Sequence, residues 1–144
     1  MLIAGCDPGL AGALCFLDPE AMRVVAMIDM PTLTVRKGSG GKRREISPQM
    51  LAVKIGRVVG GRQVAMVYIE RVSAMPGQAV TGMFQFGRSL GIAEGVVAAL
   101  GWPIKYVSST VWKKAYRRVL SSALVWLDGT LAQYTALNEE ALVL

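Results

Sequence analysis

Three short apolar runs open the chain, Leu2 to Cys6, Ala11 to Leu17 and Arg23 to Met30, and only a few residues separate each from the next. A parallel pair of strands needs a crossover of a dozen or more residues, so connections this short leave antiparallel neighbours as the solution. Turn chemistry agrees. Asp7-Pro8-Gly9-Leu10 fills the first gap and Asp18-Pro19-Glu20 the second, each with a proline and a short acid able to bond nearby backbone. The spacing predicts a three-stranded antiparallel meander.

After Met30 the pattern changes. From Thr32 to Glu45 it breaks into Arg36-Lys37-Gly38-Ser39-Gly40-Gly41-Lys42-Arg43-Arg44, which reads as a glycine-rich basic loop. Ser47-Pro48 is a helix start, because the serine can cap free N–H groups and proline suits the first helical position. That helix should run to about Val59 and stop at Gly60-Gly61. Val64 to Ile69 is an apolar, β-branched strand ending at Glu70. A loop through Pro76-Gly77 leads to a long helix, about Val80 to Leu100, closed by Gly101. Ile104 to Val107 is a fifth strand, and Ser108 or Ser109 caps a helix through Trp112. Val119 to Leu127 and Leu131 to Leu144 read as helical, with Asp128-Gly129 between them. The order βββαβαβα(α) is an α/β fold. With no internal repeat and no linker, a length of 144 residues predicts a single domain, 1–144.

Composition narrows the chemistry mainly through one absence. The chain has no histidine, which removes Ser-His-Asp and Cys-His nucleophile pairs and imidazole acid–base catalysis. Two cysteines without histidine cannot build an ordinary zinc site. What remains is carboxylates, lysines, hydroxyls or a hard cation held by oxygen. Sixteen Lys and Arg against ten Asp and Glu give a formal charge of +6, which suits nucleic acid or another acidic partner. Cys6 and Cys15 fall on adjacent predicted strands, where a bridge is one reading and free, buried thiols of a reducing compartment the preferred one. No stretch reaches the roughly 18 uninterrupted apolar residues of a spanning helix, and Asp7 with its turn interrupts any signal-peptide pattern. The expectation is a soluble, cytoplasmic protein with no membrane partner.

Asp7 ends the first predicted strand and Glu70 the fourth. If those strands are neighbours, the carboxylates meet at the sheet's end, where α/β folds gather ligands. Two close carboxylates repel unless a divalent cation lies between them, and Mg²⁺ is the natural one. Taken singly, each has a blander reading: an Asp before Pro-Gly as a turn residue, a strand-ending Glu as a solvated charge. The apolar run before Asp7 should bury its neighbourhood.

The segment Ile3-Ala4-Gly5-Cys6-Asp7-Pro8-Gly9, followed by Gly12-Ala13-Leu14, resembles the first strand and turn of RuvC-like Holliday-junction resolvases. Val67-Tyr68-Ile69-Glu70 resembles their second acidic strand. Met75-Pro76-Gly77-Gln78, Met83-Phe84-Gln85-Phe86-Gly87 and Gly91 are similar to the phage-type branch, and the likeness continues from Pro103 to Val111-Trp112-Lys113. It covers residues 1 to about 115. The resemblance implies a ribonuclease H-like fold, a five-stranded mixed sheet with its first three strands antiparallel and flanked by helices. It implies hydrolysis of branched DNA with two Mg²⁺ ions, Mn²⁺ able to substitute, by a homodimer in a bacterial host or encoded by a phage. Asp7 and Glu70 take the positions of two metal ligands.

Segment 116–144 departs from this pattern. The family carries two further carboxylates one helical turn apart before an Ala-Leu run, whereas here Glu139-Glu140-Ala141-Leu142 supplies adjacent ones. Neighbours on a helix diverge by about 100°, so they cannot replace a one-turn pair. Glu140, directly before Ala141-Leu142, is the candidate third catalytic and metal ligand, with Glu139 beside it. The departure leaves a second reading open, a catalytically impaired or inactive nucleic-acid-binding protein of the same fold.

Other features attach to DNA binding. Arg36, Lys37, Lys42, Arg43 and Arg44 form a basic segment suited to phosphate contacts, with a solvated hairpin tip as the plain alternative. Arg88, and Lys105, Lys113 and Lys114 near Trp112, are further candidate contacts. Met83, Phe84 and Phe86 suit wedging between bases or, for most of them, core packing. Gly87, Gly91 and Gly95, spaced i, i+4, i+8, suggest a close backbone approach, to the sheet or another helix ahead of DNA. Gly5 to Gly12 loosely resembles the phosphate loop of the actin and sugar-kinase fold, but that fold needs two domains and 144 residues cannot supply them. No nucleotide cofactor is expected.

Overall fold

The structure, a computed structural model, describes residues 1–36, 38, 40–71, 77 and 79–114. The chain divides into two units, Met1–Ser108 and Ser109–Leu144.

In the first unit the meander is β1 (Leu2–Cys6), β2 (Ala13–Asp18) and β3 (Arg23–Asp29), with antiparallel pairing throughout. Two strands arriving after helices, β6 (Val64–Arg71) and β7 (Ile104–Ser108), add in parallel to give the order β3-β2-β1-β6-β7. This is the expected five-stranded mixed sheet. Leu2, Ala4 and Cys6 of β1, Leu14 and Phe16 of β2 and Val67 and Ile69 of β6 are buried, the alternate residues of each strand being turned to one face. Helix α1 (Pro48–Val59) covers that face through Leu51, Ile55 and Val59. It begins as the sequence predicts: the Ser47 hydroxyl accepts the Met50 N–H at 3.3 Å, and Gly60 ends it in the left-handed region. Helix α2 (Val80–Ala99) buries Ser89, Ala93, Val96 and Val97.

Two expectations are corrected. The stretch read as a glycine-rich loop is a β-hairpin, β4 (Thr32–Arg36) paired antiparallel with β5 (Lys42–Ile46) as a separate two-stranded sheet. Leu33 and Val35 do alternate with threonines along β4, but β5 opens with four charged residues, and of the hairpin's described residues only Ile46, at its base, is buried, while Leu33 is exposed. The second correction concerns α2. Among the described residues nothing lies within 4 Å of where a side chain would begin at Gly87, Gly91 or Gly95, so neither the sheet nor another described helix makes the expected close approach. Their row lies two residues, or about 200°, from the Ser89 and Ala93 seam that meets the core.

The thiols are free, Cys6 buried and Cys15 half-buried. Register places Cys15 opposite Gly5 and Cys6 opposite Leu14, so the two side chains leave opposite faces of the sheet. In the second unit residues 109–114 are helical, and the Lys113 ammonium lies 5.5 Å from the Trp112 ring centroid. The helices expected over 119–127 and 131–144 lie outside the described residues. No described helix is long and apolar enough to cross a membrane.

Candidate active site

Parallel pairing of β1 with β6 puts Cys6 beside Ile69. One residue further along each strand come Asp7 and Glu70, and both line one open cleft of about 570 Å³. The Asp7 turn, residues 9–12, contributes one wall. Gly82, Gln85, Phe86 and Ser89 of α2 contribute the other.

The turn is fastened by backbone. The Asp7 N–H donates to the Ala13 carbonyl at 3.0 Å, the Gly12 N–H to the Gly9 carbonyl at 3.0 Å, and the Met30 N–H to the Gly12 carbonyl at 2.9 Å. Asp7 Oδ1 accepts the Gly9 N–H at 2.9 Å, so the plain turn role is real and uses one carboxylate oxygen. Gly12 is indispensable here. A Cβ at that position would stand 2.2 Å from the Asp7 carbonyl oxygen and 2.8 Å from its carboxyl carbon. Cys6 and Pro8 are buried on either side of Asp7, but Asp7 itself is exposed and Glu70 half-buried. The buried neighbourhood was legible; the open carboxylate was not.

An oxygen-only donor pair at an open cleft fits a hard divalent cation that keeps waters or substrate oxygens. Cys6 is buried in the core and does not line the cleft; burial, and after it the charge of Asp7, pushes its thiol up to about 12. Among the described residues no group of three or more acids or cysteines surrounds a possible metal position. Glu139 and Glu140 lie outside the described residues.

The predicted cations divide. Arg44 donates to Thr32 Oγ1 from Nε at 3.2 Å and from NH2 at 3.1 Å, and reaches the Leu10 carbonyl at 3.5 Å. Arg43 pairs with Glu45 at 2.5 Å. Arg88 grips the same carboxylate with two nitrogens, at 2.7 and 3.1 Å. Arg36, Lys42 and Lys105 are exposed and have no bonded partner among the described residues; Lys113 and Lys114 belong to the second unit, and Lys37 lies outside the described residues. Phe84 is 73% exposed and with Val80 lines an apolar pocket of about 450 Å³ beside β5, whereas Phe86 and Met83 are half-buried. Two residues were overlooked in the sequence. Glu45 is the lone acid closing a run of cations, a signal available there. Gln85, whose side chain donates to the Arg44 carbonyl at 2.6 Å, announces itself by nothing.

Three antiparallel strands, two parallel ones added beside β1 and helices packed on the sheet define a ribonuclease H-like fold of the RuvC type. The chain superposes on Thermus thermophilus RuvC solved in complex with a Holliday junction substrate with a TM-score of 0.54, at 14% identity, covering 80% of this chain and 69% of that one. A second Thermus thermophilus RuvC structure gives a TM-score of 0.40 at 16% identity, over 75% and 64% of the two chains. No family model matches the sequence, and no curated protein does.

Proposed function

We propose that the chain is a structure-specific endonuclease that hydrolyses phosphodiesters in Holliday junctions or other branched DNA. The observation that carries this reading is the meeting of Asp7 and Glu70 at the ends of paired parallel strands, in a cleft beside a basic hairpin. The neighbouring fold, solved on a junction, supports the choice of substrate.

Asp7 and Glu70 supply oxygen donors, and the Gly9 N–H holds the Asp7 carboxylate in one orientation. When bound, two Mg²⁺ ions, or Mn²⁺ in their place, supply the Lewis acidity and charge neutralisation this hydrolysis requires. Arg36 and Lys42, with Lys37 next to Arg36 in the sequence, attract the phosphate backbone without reading sequence. Glu140, with Glu139 next to it, is the proposed source of a third carboxylate. A homodimer would match the two equivalent strands of a four-way junction.

The test is incubation of the full chain with a synthetic four-way junction and Mg²⁺, then Mn²⁺. Paired, metal-dependent cuts are expected; an intact junction in both metals overturns the nuclease reading. One observation favours a second reading, that of an inactive DNA-binding protein: Glu139 and Glu140 are adjacent in the sequence rather than one helical turn apart. Tight junction binding without cutting would establish it.

A further inference from the structure

We propose that Glu45 is a positioning residue, which fixes the basic hairpin in register with the Asp7–Glu70 cleft by holding Arg88. This rests on the nuclease reading above.

A carboxylate at the end of a run of five cations weakens the attraction of that run for phosphate, so charge recruitment does not explain it. Its neighbours do. The Glu45 side chain is only 12% exposed and lies between the guanidinium groups of Arg43 and Arg88. Arg88 meets it through two nitrogens, and a two-point Arg–carboxylate pair fixes orientation as well as distance. One turn earlier on α2, Gln85 holds the Arg44 carbonyl. Gln85 also lines the carboxylate cleft. From β5, Arg44 reaches toward the Leu10 carbonyl in the opposite wall. The root of the hairpin is thereby fastened to both walls of the cleft.

The fastening matters because β4 and β5 pair only with each other, and a two-stranded hairpin is marginal by itself. Ile46 and the Ser47 N–H bond to the Pro31 carbonyl anchor its base. The links to α2 set where its cations stand relative to Asp7. Arg43, Arg44 and Arg88, though exposed, are then engaged by protein partners, and Arg36 and Lys42 are left for the substrate.

The experiment compares Glu45→Gln, Arg88→Met and the reversed pair Glu45→Arg with Arg88→Glu. It measures junction affinity, single-turnover cutting, cut positions and hydrogen exchange of amides 32–46. The singles should bind within about threefold of the parent yet cut about tenfold more slowly, since misplacement of reacting groups costs rate rather than affinity. Their cuts should spread to adjacent phosphodiesters and their hairpin amides exchange faster, and the reversed pair should restore both. Parental rate and position in the singles would overturn the proposal. So would affinity falling in step with rate, which would make these arginines phosphate ligands, or failure of the reversed pair to rescue. Should the parent cut nothing in either metal, the nuclease reading falls separately. Hydrogen exchange then decides for Glu45: faster exchange cured by reversal upholds its hold on the hairpin, and unchanged exchange removes it.

Discussion

At the carboxylate cleft, position is set by backbone and burial, with β1 and β6 in parallel register and their inward residues in the core. In the hairpin, position is set by a few side chains reaching across to α2. The two regions adjoin and serve one proposed reaction, yet they should fail in different ways. A change at the cleft either removes chemistry outright or disturbs the fold. A change in the hairpin should leave the fold intact and alter how DNA is placed or held, because ion pairs whose arginines stay about half exposed contribute roughly 1 kcal/mol or less to stability.

The largest expected effect is on the carboxylates themselves. Asp7→Asn and Glu70→Gln should each reduce Mg²⁺-dependent junction cutting by about 10²- to 10³-fold, the scale seen when one preorganised electrostatic group is lost. Junction binding should stay the same or tighten, since a negative charge facing phosphate has gone. Gel-shift and cleavage measurements on the same preparations check this. Full cutting by either variant removes that residue from the site.

Next comes Gly12→Ala. The added methyl would meet the Asp7 carbonyl oxygen at 2.2 Å, a backbone atom that cannot step aside as a side-chain tip would. Overpacking of this kind costs roughly 1–3 kcal/mol and sometimes more, and denaturant unfolding should place this variant at the upper end. Cutting should fall with it, since the turn presents Asp7. A variant of parental stability would show that the turn is less rigid than its hydrogen bonds imply.

The same contrast decides what a reader of the sequence could see. The meander, α1 and the meeting of Asp7 with Glu70 were legible because apolar runs, turn residues and a capping serine all act locally or through burial. The hairpin was not, because Lys42 to Glu45 is all charged and hides the partner strand of Thr32 to Arg36, and the bonds that anchor it reach residues some forty positions away. The glycine row on α2 misled for a related reason: its spacing identifies one side of a helix but not what stands opposite. The open face of Asp7 was equally hidden, since an apolar strand predicts the burial of Cys6 and says nothing of the next residue.

A smaller effect separates the cations. Neutralising Arg36 and Lys42 should lower the slope of log affinity against log salt by up to about 2, near 0.9 for each phosphate that is no longer neutralised. Arg43→Gln should leave the slope nearly unchanged, because that guanidinium is paired with Glu45. Equal slopes in both variants would break the division into cations left for the substrate and cations engaged by protein partners.

The smallest effect expected is none, and it tests whether the two regions are independent. Cys6 is buried directly before Asp7, with its thiol pushed up from 9.0 to about 12, by burial first and the Asp7 charge second. At pH 8 only about one molecule in ten thousand would carry the thiolate that reacts with an alkylating reagent. Labelling of Cys6 therefore reports opening of β1, while the half-buried Cys15 serves as the internal control. The sign of the pH dependence follows. The folded thiol keeps its proton where the unfolded one has lost it, so its contribution to stability is complete below pH 9 and drains away toward pH 12. A Cys6→Ala variant, less stable overall, should lose less of its remaining stability than the parent across that range. Glu45→Gln and Arg88→Met should leave the Cys6 labelling rate at pH 8 unchanged even while hairpin amides exchange faster. If Cys6 becomes more reactive in either variant, loosening the hairpin also loosens the sheet, and the separation between a backbone-built cleft and a side-chain-held arm does not stand.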